Sequence, residues 1–175
     1  MKHRKNILIL LLIAVLATAC GQASSQPADS RDAVLLPELA AVELSGGEKL
    51  AVVATTNIIG DVAANVGGGA VDLIMLIEVG QDPHSFEPTP QDLAAIEDAD
   101  LVFVNGLDLE EILVDAIENV AVGPVVPVSA GIEFLEYAAG GDGHEEEEGD
   151  EHAADPHVWV DPNNVIVWVE NIAWA

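Results

Sequence analysis

The feature that most constrains the fold is a regular change between short, wholly apolar segments and segments with helical character. Four stretches rich in Val, Ile and Leu are predicted to be buried strands, at 49–55, 71–77, 101–106 and 123–129. Strands that are apolar throughout and alternate with helices are typical of a parallel sheet covered on both faces. The sequence therefore predicts an α/β fold built on a small, doubly wound parallel sheet.

The segments between these strands carry the start signals of helices. Three helices are predicted, in the segments 56–69, 89–99 and 108–120, and their N-caps are Thr56, Thr89 and Asp108. The second signal is the most complete, because Pro90 falls at N1 and Asp92 at N3, where a negative charge favours the positive helix end. The glycines at 67–69 are predicted to end the first helix.

The last 19 residues predict a short strand followed by a helix. "HVWV" (157–160) has the composition of a strand, and Asp161 and Pro162 form an N-cap and an N1 position. Apolar side chains cover nearly the whole circumference of 162–175, and such a helix needs partners on all sides. Because no C-cap precedes Ala175, we expect 162–175 to be the truncated start of a longer helix.

The N-terminus predicts export from the cytoplasm. A basic start and an apolar run at 7–17 form a signal peptide, with a run too short for a confident membrane span. Small residues precede Cys20, the only cysteine, which resembles the lipidated cysteine of bacterial lipoproteins although Ala17 replaces the usual leucine. We expect a lipoprotein signal at 1–19 and a flexible tether at 20–48, with an ordinary secretory signal cleaved near Ala19 as the alternative.

The charge of the chain excludes some partners and favours others. Five Lys and Arg oppose 31 Asp and Glu, giving a formal net charge of −26, and every basic residue lies within the first 49 positions. Such a surface repels nucleic-acid phosphates and attracts cations. The densest acidic stretch, 139–156, contains His144 and His152 and cannot bury enough apolar surface to order itself.

The tripeptide Asp-Pro-His occurs twice, at 82–84 and 155–157. The first copy lies in a loop that leaves the carboxyl end of a predicted strand, where open parallel sheets bind ligands. His84 and His157 can meet at one cation, because neutral imidazole is a good ligand for zinc and most first-row divalent metals. Each histidine taken alone is also consistent with an ordinary surface loop residue.

Other kinds of site find little support in the sequence. Ser85 and Ser129 lack a Gly-x-Ser-x-Gly elbow, and the glycines at 67–69 end a helix and so do not form a phosphate loop. No His-Glu-x-x-His motif is present, and no spacing marks a catalytic pair of carboxylates. The residues alone therefore mark no nucleophile, phosphate loop or carboxylate pair.

Two blocks resemble the signatures of a known family. "VGQDPHSFEPTPQDLAAIEDADLVFVNGLDLE" and "DPHVWVDPNNVIVWVENIA" are similar to blocks of the solute-binding proteins of zinc and manganese ABC transporters. The resemblance implies two α/β lobes, a long helix joining them, and a metal in the cleft, with His84 and His157 among the ligands. Residues 49–161 would be the N-terminal lobe and 162–175 the start of the interlobe helix. We expect the C-terminal lobe and its ligands to be absent from this sequence.

The resemblance also implies a function. We expect an extracytoplasmic receptor and not an enzyme. The protein would be lipid-anchored through Cys20, capture a divalent metal and deliver it to the membrane permease of an ABC importer. We predict zinc as the metal, with manganese or iron as the alternative. Imidazole suits zinc, and a His-containing acidic loop is frequent in zinc-specific members of the family. Whether His144 and His152 collect metal or belong to a solvated charge run stays open. A metal-dependent hydrolase and a surface adhesion lipoprotein are the alternatives from other classes.

Overall fold

The computed structural model describes residues 35–42, 44–133 and 155–175 of the chain. Its strands are β1 (Leu50–Thr56), β2 (Val71–Ile77), β3 (Leu101–Val104) and β4 (Val125–Pro127). Its α-helices are α1 (Asn57–Gly67), α2 (Pro90–Glu97), α3 (Glu111–Val120) and α4 (Pro162–Trp174). The predicted signal peptide, Cys20, and the acidic stretch with His144 and His152 lie outside the described residues.

The four strands form one parallel sheet in the order β2-β1-β3-β4. Val52 of β1 lies opposite Leu73 of β2 and Leu101 of β3, and Val102 lies opposite Val125 of β4. Because the chain passes from β1 to β2 on one side and returns to β3 on the other, the winding direction reverses between β1 and β3. Open sheets bind ligands at the carboxyl ends of the strands beside such a reversal.

Hydrophobic clusters cover both faces of the sheet. On one face, Val52 and Phe103 pack with Ile59 of α1 and with Trp168 of α4. On the other face, buried residues of the strands pack with helices α2 and α3, among them Val53, Val102, Ile96, Leu113 and Ile117. The strands are apolar throughout because both faces are buried, and the predicted doubly wound α/β fold is confirmed.

The capping signals place two helices as predicted. The side chain of Thr56 accepts a hydrogen bond from the backbone N–H of Ile59. Thr89 and Asp92 form a reciprocal capping box, with Pro90 at the first helical position. Each cap satisfies a backbone donor that the helix itself leaves unpaired.

Two local predictions are wrong. Asp108 does not cap α3, because its φ is +58° and Leu107 before it has a φ of +55°, so the chain turns through the left-handed region before the helix starts at Glu111. "HVWV" is not a strand, because Val158–Val160 forms a 3-10 turn. The backbone N–H of Val160 donates to the carbonyl of His157, and that of Asp161 donates to the carbonyl of Val158. This turn brings the chain directly to α4.

Helix α4 is buried on one side only. Asp161 caps it by accepting from the backbone N–H of Asn163, as predicted. Trp168 and Ile172 are buried, whereas other apolar side chains of the same helix are largely exposed, namely Ile166, Val169 and Trp174. Within the described part of the chain, the apolar circumference of α4 is therefore only partly covered.

Two further observations concern the described part of the chain. Leu36 and Leu39, which fall within the predicted tether, pack against the cluster formed by α1, α4 and the sheet. Among the described helices, none has both the length and the hydropathy that a membrane crossing requires.

Candidate metal centre

The two Asp-Pro-His tripeptides share one local hydrogen bond, although only the first lies in a 3-10 helix, Pro83–Ser85. In each, the aspartate Oδ1 accepts a hydrogen bond of 3.0 Å from the backbone N–H of the histidine two residues later. Proline between them fixes one backbone dihedral and favours an extended aspartate, as the φ of −91° and ψ of 117° at Asp82 show. Short aspartate side chains form such turns with their own backbone. The repeated tripeptide therefore fixes the backbone of each histidine locally.

The fold brings the two histidines into contact although 73 positions separate them. The Nε2 atoms of His84 and His157 are 3.4 Å apart, and the ring centroids are 5.4 Å apart. Two nitrogens bound to one tetrahedral zinc at about 2.0–2.1 Å are about 3.3–3.4 Å apart. The spacing of the two imidazoles therefore fits a shared metal ion, and their role as ligands stays a prediction.

Asp155 orients the ring of His157. The Nδ1 atom of His157 lies 2.9 Å from Oδ1 of Asp155, so a proton on Nδ1 is donated to the carboxylate and Nε2 is left as the free lone pair. Two hydrogen bonds from His157 hold the pKa of the Asp155 carboxyl below its ordinary value. The bond from the backbone N–H has the larger effect, and the bond from the ring has the smaller one. A carboxylate behind a histidine is a common arrangement around metals, because it fixes the tautomer and the orientation of the ring.

Beneath the histidines lies a buried polar group at the carboxyl ends of β1 and β3. Glu110 Oε1 accepts hydrogen bonds from Thr55 Oγ1, at 2.5 Å, and from the backbone N–H of Asn105, at 2.8 Å. Asn105 Nδ2 donates to the carbonyl of Pro156, at 3.1 Å, directly before His157. Burial raises the pKa of the Glu110 carboxyl above its ordinary value, and the hydrogen bonds oppose part of that rise.

An aromatic row connects the site to the core. The ring of His157 meets the ring of Trp159 edge-on, with 5.3 Å between their centroids. The ring centroids of Trp159 and Trp168 are 6.1 Å apart. The indole N–H of Trp168 donates to Ser129 Oγ at 3.1 Å. This row ties the position of the His157 loop to the packing of α4 on the sheet.

The described residues supply two neighbouring imidazoles and no cluster of three or more potential metal-ligating side chains. The side chain of His157 is 46% exposed, and His84 is also exposed. The two imidazoles therefore lie at an exposed rim of the described structure.

The sequence predicts both histidines as ligands but does not predict the residues that hydrogen-bond around them. The aspartates of the repeated tripeptide carry a readable signal, since an Asx turn needs an aspartate two residues before its donor. Asn105 follows an apolar strand, at the sheet edge where ligands bind. Thr55 and Glu110 carry no such signal, because only the fold brings them together.

Residues 52–175 match the family described as "ZnuA: Zinc-uptake complex component A periplasmic". Among curated relatives, the manganese-binding lipoprotein MntA of Halalkalibacterium halodurans is 35% identical over 94% of this chain and 46% of its own length. The manganese ABC transporter substrate-binding lipoprotein PsaA of Streptococcus pneumoniae is 32% identical over 99% of this chain and 50% of its own. The chain thus spans about half the length of these relatives.

Solved structures show the same fold. A Mn-bound periplasmic metal binding protein from Candidatus Liberibacter asiaticus superimposes with a TM-score of 0.61 and 31% identity, over 71% of this chain and 43% of that one. The metal-dependent lipoprotein YcdH of Bacillus subtilis superimposes with a TM-score of 0.58 and 31% identity, over 71% and 42% of the two chains. The described lobe is therefore similar to part of larger metal-binding proteins.

Proposed function

We propose, because the chain belongs to the ZnuA family, that it captures a divalent transition metal through His84 and His157. The observation that carries the proposal is the 3.4 Å separation of the two Nε2 atoms. Asp155 supports it by leaving the Nε2 lone pair of His157 free for a metal. The metal is the cargo of the protein, and further ligands would complete its coordination shell.

We place this capture step outside the cytoplasm, at the start of import. The basic and apolar N-terminus with Cys20 supports export and a lipid anchor, and the relatives MntA and PsaA are named lipoproteins. PsaA is named as the substrate-binding part of an ABC transporter, which supports a membrane permease as the partner that receives the metal. The negative charge of the chain favours encounter with cations at the rim.

Manganese is the first candidate cargo and zinc the second. The names of MntA and PsaA favour manganese, while the description of the family names zinc uptake. The imidazole pair itself suits zinc, which binds such ligands more tightly than manganese does regardless of which ion a cell imports. Elemental analysis of the protein isolated from its native membrane tests the order: zinc without manganese would reverse it.

A receptor differs from a metallohydrolase in what it keeps free. A catalytic metal retains an open position with a water and a general base, whereas a carrier closes its shell around the ion. The receptor proposal therefore requires metal binding without hydrolytic turnover. Turnover that is lost in both histidine variants would favour the hydrolase, and a surface phenotype that survives their loss would favour an adhesion lipoprotein.

Calorimetric titration of the 175-residue chain with Zn²⁺ tests the site. We expect one ion per chain and a dissociation constant above about 1 μM, because two imidazoles supply half of a tetrahedral shell. His84→Ala and His157→Ala should each abolish this binding, while unfolding temperatures stay close to that of the unmodified chain.

The double variant His144→Ala/His152→Ala is the matched control, because it removes two histidines of the acidic stretch and leaves the rim intact. It should keep the single-ion binding. Binding that survives His84→Ala, or that disappears only in the control, would overturn the proposed site. A sub-micromolar dissociation constant would contradict the expectation of a half-built coordination shell.

A further inference from the structure

The loop between β3 and α3, residues 105–110, combines buried polar ends with a strained backbone. Asn105 and Glu110 at its two ends are almost fully buried, with exposed fractions of 0% and 1%. Between them, Leu107 and Asp108 both have a positive φ, a conformation that side chains other than glycine adopt at a cost. Such strain persists only where surrounding contacts hold the chain in place.

The contacts that hold this loop converge on Glu110. Its Oε1 atom accepts from the Thr55 hydroxyl at the end of β1 and from the backbone N–H of Asn105 at the end of β3. A buried carboxyl group is costly unless its hydrogen-bond partners are in place. Glu110 stands at the N-cap position of α3 but makes no side-chain capping bond there, because its carboxyl points to the strands.

The side chain of Asn105 connects this loop to the segment that carries His157. Its Nδ2 group bridges two carbonyl oxygens, that of Gly106 at 2.7 Å and that of Pro156 at 3.1 Å. The Pro156 carbonyl belongs to the peptide unit that enters His157. Among the described residues, Oδ1 of Asn105 is buried and lacks a hydrogen-bond partner. The two carbonyl acceptors fix the orientation of the amide, with Nδ2 toward the Pro156 carbonyl.

We propose that Asn105 and Glu110 are positioning residues that hold the His157 loop so that its ring meets His84. The inference rests on the proposed function for its consequence in metal binding, and on the geometry alone for its consequence in ring position. Asp155 fixes the ring of His157 relative to its own backbone. Asn105 fixes that backbone relative to the sheet, and Glu110 fixes Asn105.

Asn105→Ala tests the proposal, with Asn171→Ala as its matched control. Asn171 also lies buried and also bridges two carbonyl oxygens with Nδ2, those of Val128 and Ala130. Its side-chain hydrogen bonds go to neither histidine loop, and Trp168 still docks α4 through Ser129 in this variant. The first readout is the nuclear Overhauser contact between the His84 and His157 rings in the metal-free chain. It should be lost in Asn105→Ala and kept in Asn171→Ala.

The second readout is Zn²⁺ affinity by calorimetry on the same proteins. Asn105→Ala should bind about 10-fold or more weakly, the range seen when a supporting residue of a metal ligand is removed, while Asn171→Ala should bind as the unmodified chain does. If the unmodified chain shows the ring contact but binds no Zn²⁺, the proposed function fails and the ring readout still decides the positioning role.

Glu110 provides a second pair of variants, which keeps the test decisive if Asn105→Ala does not fold. Glu110→Gln retains an oxygen acceptor for Thr55 and Asn105 and should preserve ring contact and affinity, whereas Glu110→Ala should lose both. Unchanged ring contact and affinity in Asn105→Ala and Glu110→Ala would overturn the proposal. Equal losses in Asn105→Ala and Asn171→Ala would also overturn it, because they would reflect general destabilisation.

Discussion

At the scale of single residues, the site depends on short polar side chains that bond to their own backbone. Asp82 and Asp155 each accept the N–H of the histidine that follows, so each imidazole starts from a fixed backbone. Glu110 acts over a longer range, joining the ends of two strands through one carboxylate oxygen. Its burial has a consequence for stability that can be measured separately from metal binding.

Glu110→Gln should change how the stability of the chain depends on pH. Burial raises the pKa of Glu110 in the folded state. The folded chain therefore holds this proton more tightly than the unfolded chain, in which the pKa of glutamate is about 4.3. The stabilisation from this proton is complete below that value and is lost as pH rises through the raised pKa.

The free energy of unfolding, measured by urea denaturation between pH 4 and pH 8, checks this prediction. The unmodified chain should lose more stability toward pH 8 than the Gln variant does, since the variant has no proton to lose at this position. Parallel pH profiles for the two proteins would contradict it. Glu111→Gln is a suitable control, because Glu111 is exposed at the neighbouring position.

At the scale of elements, α4 is held to the lobe by both apolar and polar contacts. Trp168 is fully buried against the sheet and donates to Ser129, and Asn171 bonds to the backbone beyond β4. The opposite side of the helix exposes apolar residues. The helix is therefore firmly docked on one side, and its other side is available for packing.

Trp168→Ala and Trp174→Ala should differ sharply in their effect on stability. Trp168 has no exposed surface, whereas Trp174 on the same helix is 53% exposed. Removing a buried tryptophan costs about 3–5 kcal/mol, and a surface substitution costs less than about 1 kcal/mol. Chemical denaturation followed by circular dichroism measures both free energies of unfolding, and equal losses would mean that α4 is not docked through Trp168.

At the scale of the whole molecule, a small apolar core carries a large excess of negative charge. The core occupies both faces of a four-stranded sheet, and the chain has a formal net charge of −26. Repulsion among like charges favours expanded states over the compact one. The same negative charge attracts cations, so it opposes folding and would assist the proposed metal capture.

Added NaCl should therefore raise the unfolding temperature. Most of the increase should occur below about 0.1 M, because at that ionic strength the screening length has fallen to about 10 Å. Differential scanning calorimetry at constant pH, with chelator present to exclude metal binding, measures the effect. An unfolding temperature that stays constant or falls between 10 and about 100 mM NaCl would show that charge repulsion does not limit stability.

The sequence by itself determined the fold class, because its signals are local. The strands are apolar on both faces, and the side chains of Thr56 and Thr89 cap the helices that follow them. It also singled out His84 and His157 through the repeated tripeptide, whose Asx turns form within three residues. It failed at Asp108 and at "HVWV", where tertiary contacts override local propensity. The contacts of Asn105 and Glu110 arise only in the tertiary structure, because they join residues 51 and 55 positions apart. The 3.4 Å approach of the two imidazoles likewise needs the strand order that brings their loops to one edge of the sheet.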